Sequence, residues 1–378
     1  MLTKIKSLTL AFFSVLALSS SACAQETSKI ATSSPSPTLT IVSTAKPFES
    51  EPSLDFSYRE VHLNHENTIV QTQDGALVIN QAGDLVRNIS NSNFSEINRL
   101  AISGGLVFMG YDQAFSVSEL ETGKQINLVI NKNPKQYASY SAISDDFSLI
   151  YALNAIYRKG ESNALVTLPR LPNVMAAEFS PDKTMLITAS VVTGYGAAIW
   201  DTRKGKIIHQ LTKSGAALGF FSGDGTKALV VTLEQSSRNI ILPKSKDIYV
   251  YDVQTGKDIT QLKNDASILR VSPISNDNRI FTSTTIGTLA AWSLDTYKKS
   301  KQWKLDSNVI SLKLDDHNYL WCGLENGELV AVNLKTNKLY AIHKFENLIR
   351  SMDIKNEKAV FITEDASRLL VTATVKYN

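Results

Sequence analysis

A chain of 378 residues that is 43% hydrophobic can bury a large core, and closed all-β folds of this size often form a single unit. Its formal charge of +3 gives no composition-level argument for a nucleic-acid partner. With only two cysteines, Cys23 and Cys322, the fold must rest on its core rather than on disulfides.

The first element is a targeting segment over residues 1–24. Lys4 and Lys6 precede the apolar run LTLAFFSVLAL, and the small residues SSSACA follow; this is the order of a signal peptide. The run is too short to cross ~30 Å of hydrocarbon, and no later stretch approaches ~18 consecutive apolar residues. Two cleavage chemistries fit. Ser20-Ser21-Ala22-Cys23 resembles a bacterial lipobox, in which Cys23 is lipidated, although Ser20 stands where that motif has Leu, Val or Ile. Ala22-Cys23-Ala24 also fits A-x-A, with cutting before Gln25. The expectation is an exported chain, periplasmic or anchored at the outer membrane through Cys23.

Residues 25–53 are rich in Ser, Thr and Pro (SSPSPT, KPFESEPS) and read as a flexible tether, because they cannot bury enough to offset ordering entropy. Within it, TLTIVST (Thr38 to Thr44) is β-prone.

Residues 54–378 repeat. The phrase AAIWDTRKGKII (Ala197 to Ile208) returns as IYVYDVQTGKDI, LAAWSLDTYKKS and LVAVNLKTNKLY. Its turn lysines, Lys124, Lys206, Lys257, Lys298 and Lys338, recur about every 41 residues, the first gap covering two periods. Upstream of each phrase lies a short alternating run, such as INRLAIS, NVMAAEFSPD or NVISLKLDD. Eight such runs are present when the looser YREVHLNHEN is included. Each unit reads as four short strands; in the fourth they are VMAAEFS, MLITAS, GAAIWD and KIIHQL. β-Branched and aromatic residues fill the strands, and Gly, Asp, Asn and Ser mark the turns. One four-stranded meander cannot cover both its faces, so neighbours must stack, and a ring leaves no open end. The expected fold is an all-β propeller of four-stranded antiparallel blades. Eight blades are predicted, with Thr38 to Thr44 completing the last. Seven, with an irregular first unit, is the alternative.

Trp200-Asp201, the preceding Ser190, the FSPD turn (Phe179 to Asp182) and the TGK turns resemble WD-repeat proteins over about residues 56–378. None of the eight units has the Gly-His dipeptide of that family. The units also resemble quinoprotein-type propeller repeats, whose turn is likewise T-G-K. Both resemblances imply a propeller.

Motif searching finds no chemistry. The five histidines are scattered, and no Cys/His/Asp set has metal-ligand spacing. No nucleophile elbow or phosphate loop occurs, and SGDGT (Ser222 to Thr226) reads as a hairpin turn. No catalytic residue, cofactor or metal is therefore assigned. Two features point to binding. The fifth unit is longer than its siblings by a segment near Glu234 to Lys246, which carries Arg238; loops on a rigid scaffold are where binding groups collect. Arg59, Arg99, Arg270 and Arg350 recur near the start of the inner strand, where four guanidinium groups would make a rim suited to carboxylates or phosphates. The functional expectation is a non-catalytic, monomeric interaction platform of the bacterial envelope that binds a protein partner, an acidic segment of that partner being the candidate contact. A cofactor-dependent propeller enzyme or an envelope immunity protein are the alternatives.

Overall fold

The computed structural model describes residues 36–45, 60–64, 67–72, 75–90, 94, 97–111, 113–130, 140–233, 247–272, 274–275, 277–363 and 370–377. Residues 1–24, read above as a targeting segment, and with them Cys23, lie outside them, as do Arg59 and Arg238. The described residues form eight four-stranded antiparallel sheets. In seven of them the strands follow chain order, so each is a meander. They begin at Val61, Ile97, Ala142, Val174, Ala216, Ile268 and Val309 and are numbered blades 1 to 7.

Blade 8 joins the two ends of the chain. Its strands Ile349–Lys355, Lys358–Thr363 and Leu370–Lys376 are completed by Thr38–Ala45. That strand pairs antiparallel with the last, from Thr38 opposite Lys376 to Ala45 opposite Leu370.

The apolar clusters show why the sheets close into a ring. Each cluster is built from two successive blades: Trp321 of blade 7 packs with Phe361 of blade 8, and Val61 and Val70 of blade 1 pack with Val360 and Ile362 of blade 8. Every seam holds one such cluster, so no sheet face is left open. The strand sequences follow from this. Second and third strands are covered on both faces and read as continuous apolar runs, such as LVFMGY and YLWCGL, buried throughout. Fourth strands lie at the outer wall and are mostly exposed, as in LVRNIS.

The hairpin between first and second strands is built the same way in four blades. Ser144, Ser180, Ser222 and Ser275 each donate to an aspartate two residues on, Asp146, Asp182, Asp224 and Asp277. The serine hydroxyl also accepts a later backbone N–H, as from Met185 at 3.0 Å and Lys227 at 2.9 Å. The aspartates are acceptors in every case, which fixes the turn without help from the rest of the blade. Their ionised form is thereby favoured: hydrogen bonds from Lys183 and Ser148 lower Asp146, and the hydroxyl of Ser222 draws Asp224 down to about 2.

The turn between third and fourth strands explains the repeated phrase. Asp201 Oδ1 accepts from the N–H groups of Arg203 at 2.8 Å and Lys204 at 2.9 Å. Asp252 does the same for Thr255 at 2.7 Å, and Asn333 for Lys335 and Thr336 at 3.0 Å.

A second glycine signal sits just before the third strand. A Cβ on Gly327 (φ +86°) would lie 2.4 Å from the carbonyl oxygen of Phe345 and 2.7 Å from that of Asn347. Gly75, Gly196 and Gly287 face backbone carbonyls of their own outer strands similarly. Backbone cannot swing aside as a side chain can, so Gly327→Ala should cost roughly 2 kcal/mol or more. Chemical denaturation of the variant checks this; a change within about 0.5 kcal/mol would show that the turn relaxes.

Candidate functional site

First strands contact the first strands of neighbouring blades, so they line the axis of the ring. Each starts on what is here termed the upper face and runs to the lower face, where its hairpin lies. Most share an irregularity: pairing skips one residue after a buried apolar position, between Ile97 and Arg99, Ile268 and Arg270, Val309 and Ser311, and Ile349 and Ser351. Arg99 and Arg270 therefore occupy one slot, just past this bulge. Arg350 falls one residue earlier, inside the bulge. Sequence spacing placed the three in phase; the register puts Arg350 on the bulged residue itself and Arg99 and Arg270 one residue past it, and neighbouring positions of a strand point different ways.

Side chains in that slot tie blade 6 to blade 7, blade 7 to blade 8 and blade 8 to blade 1. Arg270 Nε donates to the Ile310 carbonyl at 2.6 Å, and Ser311 Oγ donates to the Ile349 carbonyl at 3.0 Å. Ser351 Oγ accepts from the Val61 N–H at 3.1 Å. Two residues further down, Glu178 Oε1 accepts from the Phe221 N–H at 3.0 Å, and Asp353 Oδ2 from the Leu63 N–H at 2.7 Å. Asp353 Oδ1 also pairs with Lys313 Nζ at 2.6 Å.

The arginines sit in different fields. Burial lowers the Arg270 pKa and the charge of Arg350 adds to this, so these two cations share one part of the channel. Arg99 lies with its guanidinium carbon 5.9 Å from the centre of the Tyr140 ring. Tyr140, then Glu60 and Glu178, raise its pKa against the opposing effect of burial. The positive rim expected from sequence is thus strongest at Arg270 and Arg350, while Arg99 is met by carboxylates.

Glu178 keeps solvent contact along the channel, yet protein surrounds it, and the carboxylate is poorly hydrated. Desolvation pushes its pKa up to about 7; Asp145 adds to the rise, while the Phe221 N–H and Arg99 oppose it. The folded state then keeps a proton that the unfolded chain releases near the ordinary glutamate value. Stability from this group is present at low pH and is lost as pH rises toward about 7. Glu178→Gln should flatten the stability profile across that interval and raise stability above it. Melting temperatures from pH 4 to pH 8 read this out; parallel profiles for the two proteins would count against it.

The upper face carries groups that the sequence reading missed. Met175, Tyr195 and Ile286 are large apolar side chains with 40%, 44% and 41% of their surface exposed. Met175 lies in the bulge of blade 4. Tyr195 and Ile286 immediately precede the turn glycines Gly196 and Gly287. The loops bearing them fold back beside the starts of first strands: the Val191 N–H reaches the Asn173 carbonyl at 3.2 Å, and the Thr285 N–H reaches that of Ser267 at 2.9 Å. The readable signal was a bulky apolar residue just before a turn glycine. The long segment of blade 5 springs from the same face, since the Leu233 N–H bonds the Gly215 carbonyl at 2.7 Å. Its residues 234–246 lie outside the described ones. Among the described residues, no three His, Cys, Asp or Glu side chains come together as metal ligands would.

No protein-family model matches this chain, and no curated protein does. Among solved structures, the computationally designed Ika8 protein is similar over 86% of this chain and 98% of its own, with a TM-score of 0.67 and 16% identity. At that identity the likeness shows the fold alone: an eight-bladed propeller.

Proposed function

We propose that this chain is a non-catalytic binding platform of the bacterial envelope, exported by its leader, anchored through Cys23, and monomeric. Its upper face takes a protein partner. One observation carries the reading: Met175, Tyr195 and Ile286 are exposed on the face where Arg270 and Arg350 stand at the channel mouth. Exposed aromatic and apolar anchors beside guanidinium groups are the composition of an interaction hot spot. The arginines suit an acidic segment of the partner.

Affinity capture from envelope extracts tests this. The combination Tyr195→Ala, Arg270→Ala and Arg350→Ala should reduce capture at least tenfold while circular dichroism shows the variant still folded. Equal capture by the variant would refute the surface. One observation favours a catalytic reading instead: Glu178 can exchange a proton near neutral pH inside the channel. Turnover of any lactone or alcohol substrate that Glu178→Gln abolishes would replace the first reading with that one.

A further inference from the structure

The outer wall near the lower face carries a band that the binding reading does not use. Fourth strands begin at that face, directly after the turns that hold the repeated lysines. In five successive blades the first residues of this strand include exposed large aliphatics: Leu85 and Val86, Ile126, Leu165, Ile207 and Ile208, and Ile259. Register places them at one height, since Ile79 pairs Leu85, Ser118 pairs Gln125, Tyr157 pairs Ala164, Trp200 pairs Ile207, and Tyr251 pairs Asp258. An isolated exposed aliphatic needs no explanation, but a row repeated at one level does. Just below the row, the turns present exposed Lys124, Lys159, Lys206 and Lys257. Carboxylates of this face lie partly in the same turns, where Asp201 and Asp252 cap backbone N–H groups. Asp84, Glu121, Glu161 and Asp258 are exposed in the same turns and strand starts, and Asp146, Asp182 and Asp224 sit in the hairpins nearer the axis.

The chain preceding the propeller points to the occupant. The closing strand starts at Thr38, which pairs with Lys376, and Lys358 pairs with Thr374 beside the lower-face hairpin. The N-terminal tether therefore leaves the ring at the lower face, on blade 8, next to blade 1. Only fourteen residues lie between Cys23 and Thr38, and a chain of that length has a root-mean-square reach of about 20 Å. An anchor so short brings the face from which it leaves against the surface that holds it.

We infer that the lower perimeter of blades 1 to 5 rests on a phospholipid surface, with its aliphatic row at the acyl boundary and its turn lysines at the lipid phosphates. This orientation extends the proposed anchoring and turns the upper face toward the partner. Side chains inserted ~5–10 Å into the headgroup region and lysines reaching phosphates above them are the usual division of labour at such an interface.

The test uses the chain from residue 23 onward, which contains all eight sheets, with Cys23→Ser so that no acyl group contributes. It should co-sediment with phosphatidylethanolamine–phosphatidylglycerol vesicles at millimolar lipid. Val86→Ser, Ile126→Ser, Ile208→Ser and Ile259→Ser together should weaken this at least tenfold at unchanged circular dichroism. Cys322 is fully buried, so a fluorophore can be directed to Ile208→Cys or Tyr195→Cys. Brominated lipid should quench the label at position 208 and leave the one at 195 unaffected. No vesicle binding, equal binding by the fourfold variant, or equal quenching at both positions would overturn the inference. So would self-association in light scattering that the same substitutions abolish, because the row would then be a contact between copies. Incorporation of labelled palmitate at Cys23 is measured separately on the full chain, and its failure would remove the anchor without touching these outcomes.

Discussion

Asp315→Ala should destabilise the propeller by about 3–5 kcal/mol, measured by denaturant unfolding. Asp315 directly follows the first strand of blade 7, and only 7% of its surface is exposed. Its Oδ1 accepts from the N–H groups of His317 and Tyr319, both at 2.8 Å. Its Oδ2 accepts from Trp321 Nε1 and from the Tyr377 hydroxyl, both at 2.7 Å. Four donors would thus lose a charged acceptor at once, and the indole N–H of the fully buried Trp321 has no water to turn to. Unmet buried donors are what make such a change expensive, more than the lost bonds themselves. The Tyr377 hydroxyl stays a donor at any ordinary pH, because burial and the Asp315 charge both raise its pKa. Tyr377→Phe, which removes one donor and keeps the acceptor, should cost only about 1 kcal/mol. The contrast between the two variants is the informative quantity. Equal small losses would show that the carboxylate is not the hub between blade 7 and the chain's last residues.

Removal of residues 1–45 should have a larger effect still. Seven residue pairs link Thr38–Ala45 to the last strand. Leu39 packs against the apolar cluster shared by blades 7 and 8, and Ser43 Oγ shares a 2.6 Å hydrogen bond with Thr372 Oγ1. Without this strand, Leu370–Lys376 becomes an open edge carrying the buried Val371, Ala373 and Val375. At about 1 kcal/mol for each lost hydrogen bond, with the apolar term added, roughly 5 kcal/mol or more is at stake. The truncated chain should melt at a markedly lower temperature and aggregate through the exposed edge. A synthetic TLTIVSTA peptide added in trans should raise the melting temperature again, because it restores that edge. An unchanged melting profile for the truncated chain would mean that the ring closes without its N-terminal strand.

Much of the fold was legible because a repeat is a strictly local code. Each turn carries its own acceptors, as Asp182, Asp224 and Asp252 show, so the hairpins are specified by residues within a few positions of one another. The doubly covered second and third strands announce themselves as apolar runs for the same reason. Eight such meanders with hydrophobic faces have few ways to hide them, and stacking in a ring is one that a sequence period of about 41 suggests directly. The hydrogen bonds of Trp200 and Ser190 were less legible. Trp200 Nε1 does not reach Ser190 but donates to Thr188 Oγ1 at 2.9 Å, and the Ser190 hydroxyl donates to the Pro172 carbonyl at 2.5 Å.

The candidate site depended on what a linear reading cannot see. Arg350 stands one position before the slot that Arg270 fills, and a shift of one position in a strand redirects the whole side chain. Glu178 looks like any strand glutamate until the ring closes around it and desolvation raises its pKa. Met175 and Tyr195 of blade 4 share a face with Ile286 of blade 6 because both blades present the same edge upward. The sequence by itself determined the strands, the turns and the count of units, since those rest on alternation and local hydrogen bonds. Only the tertiary structure decided which side chains meet at the channel mouth and which line the lower perimeter, because both depend on register and on the direction in which each blade faces its neighbours.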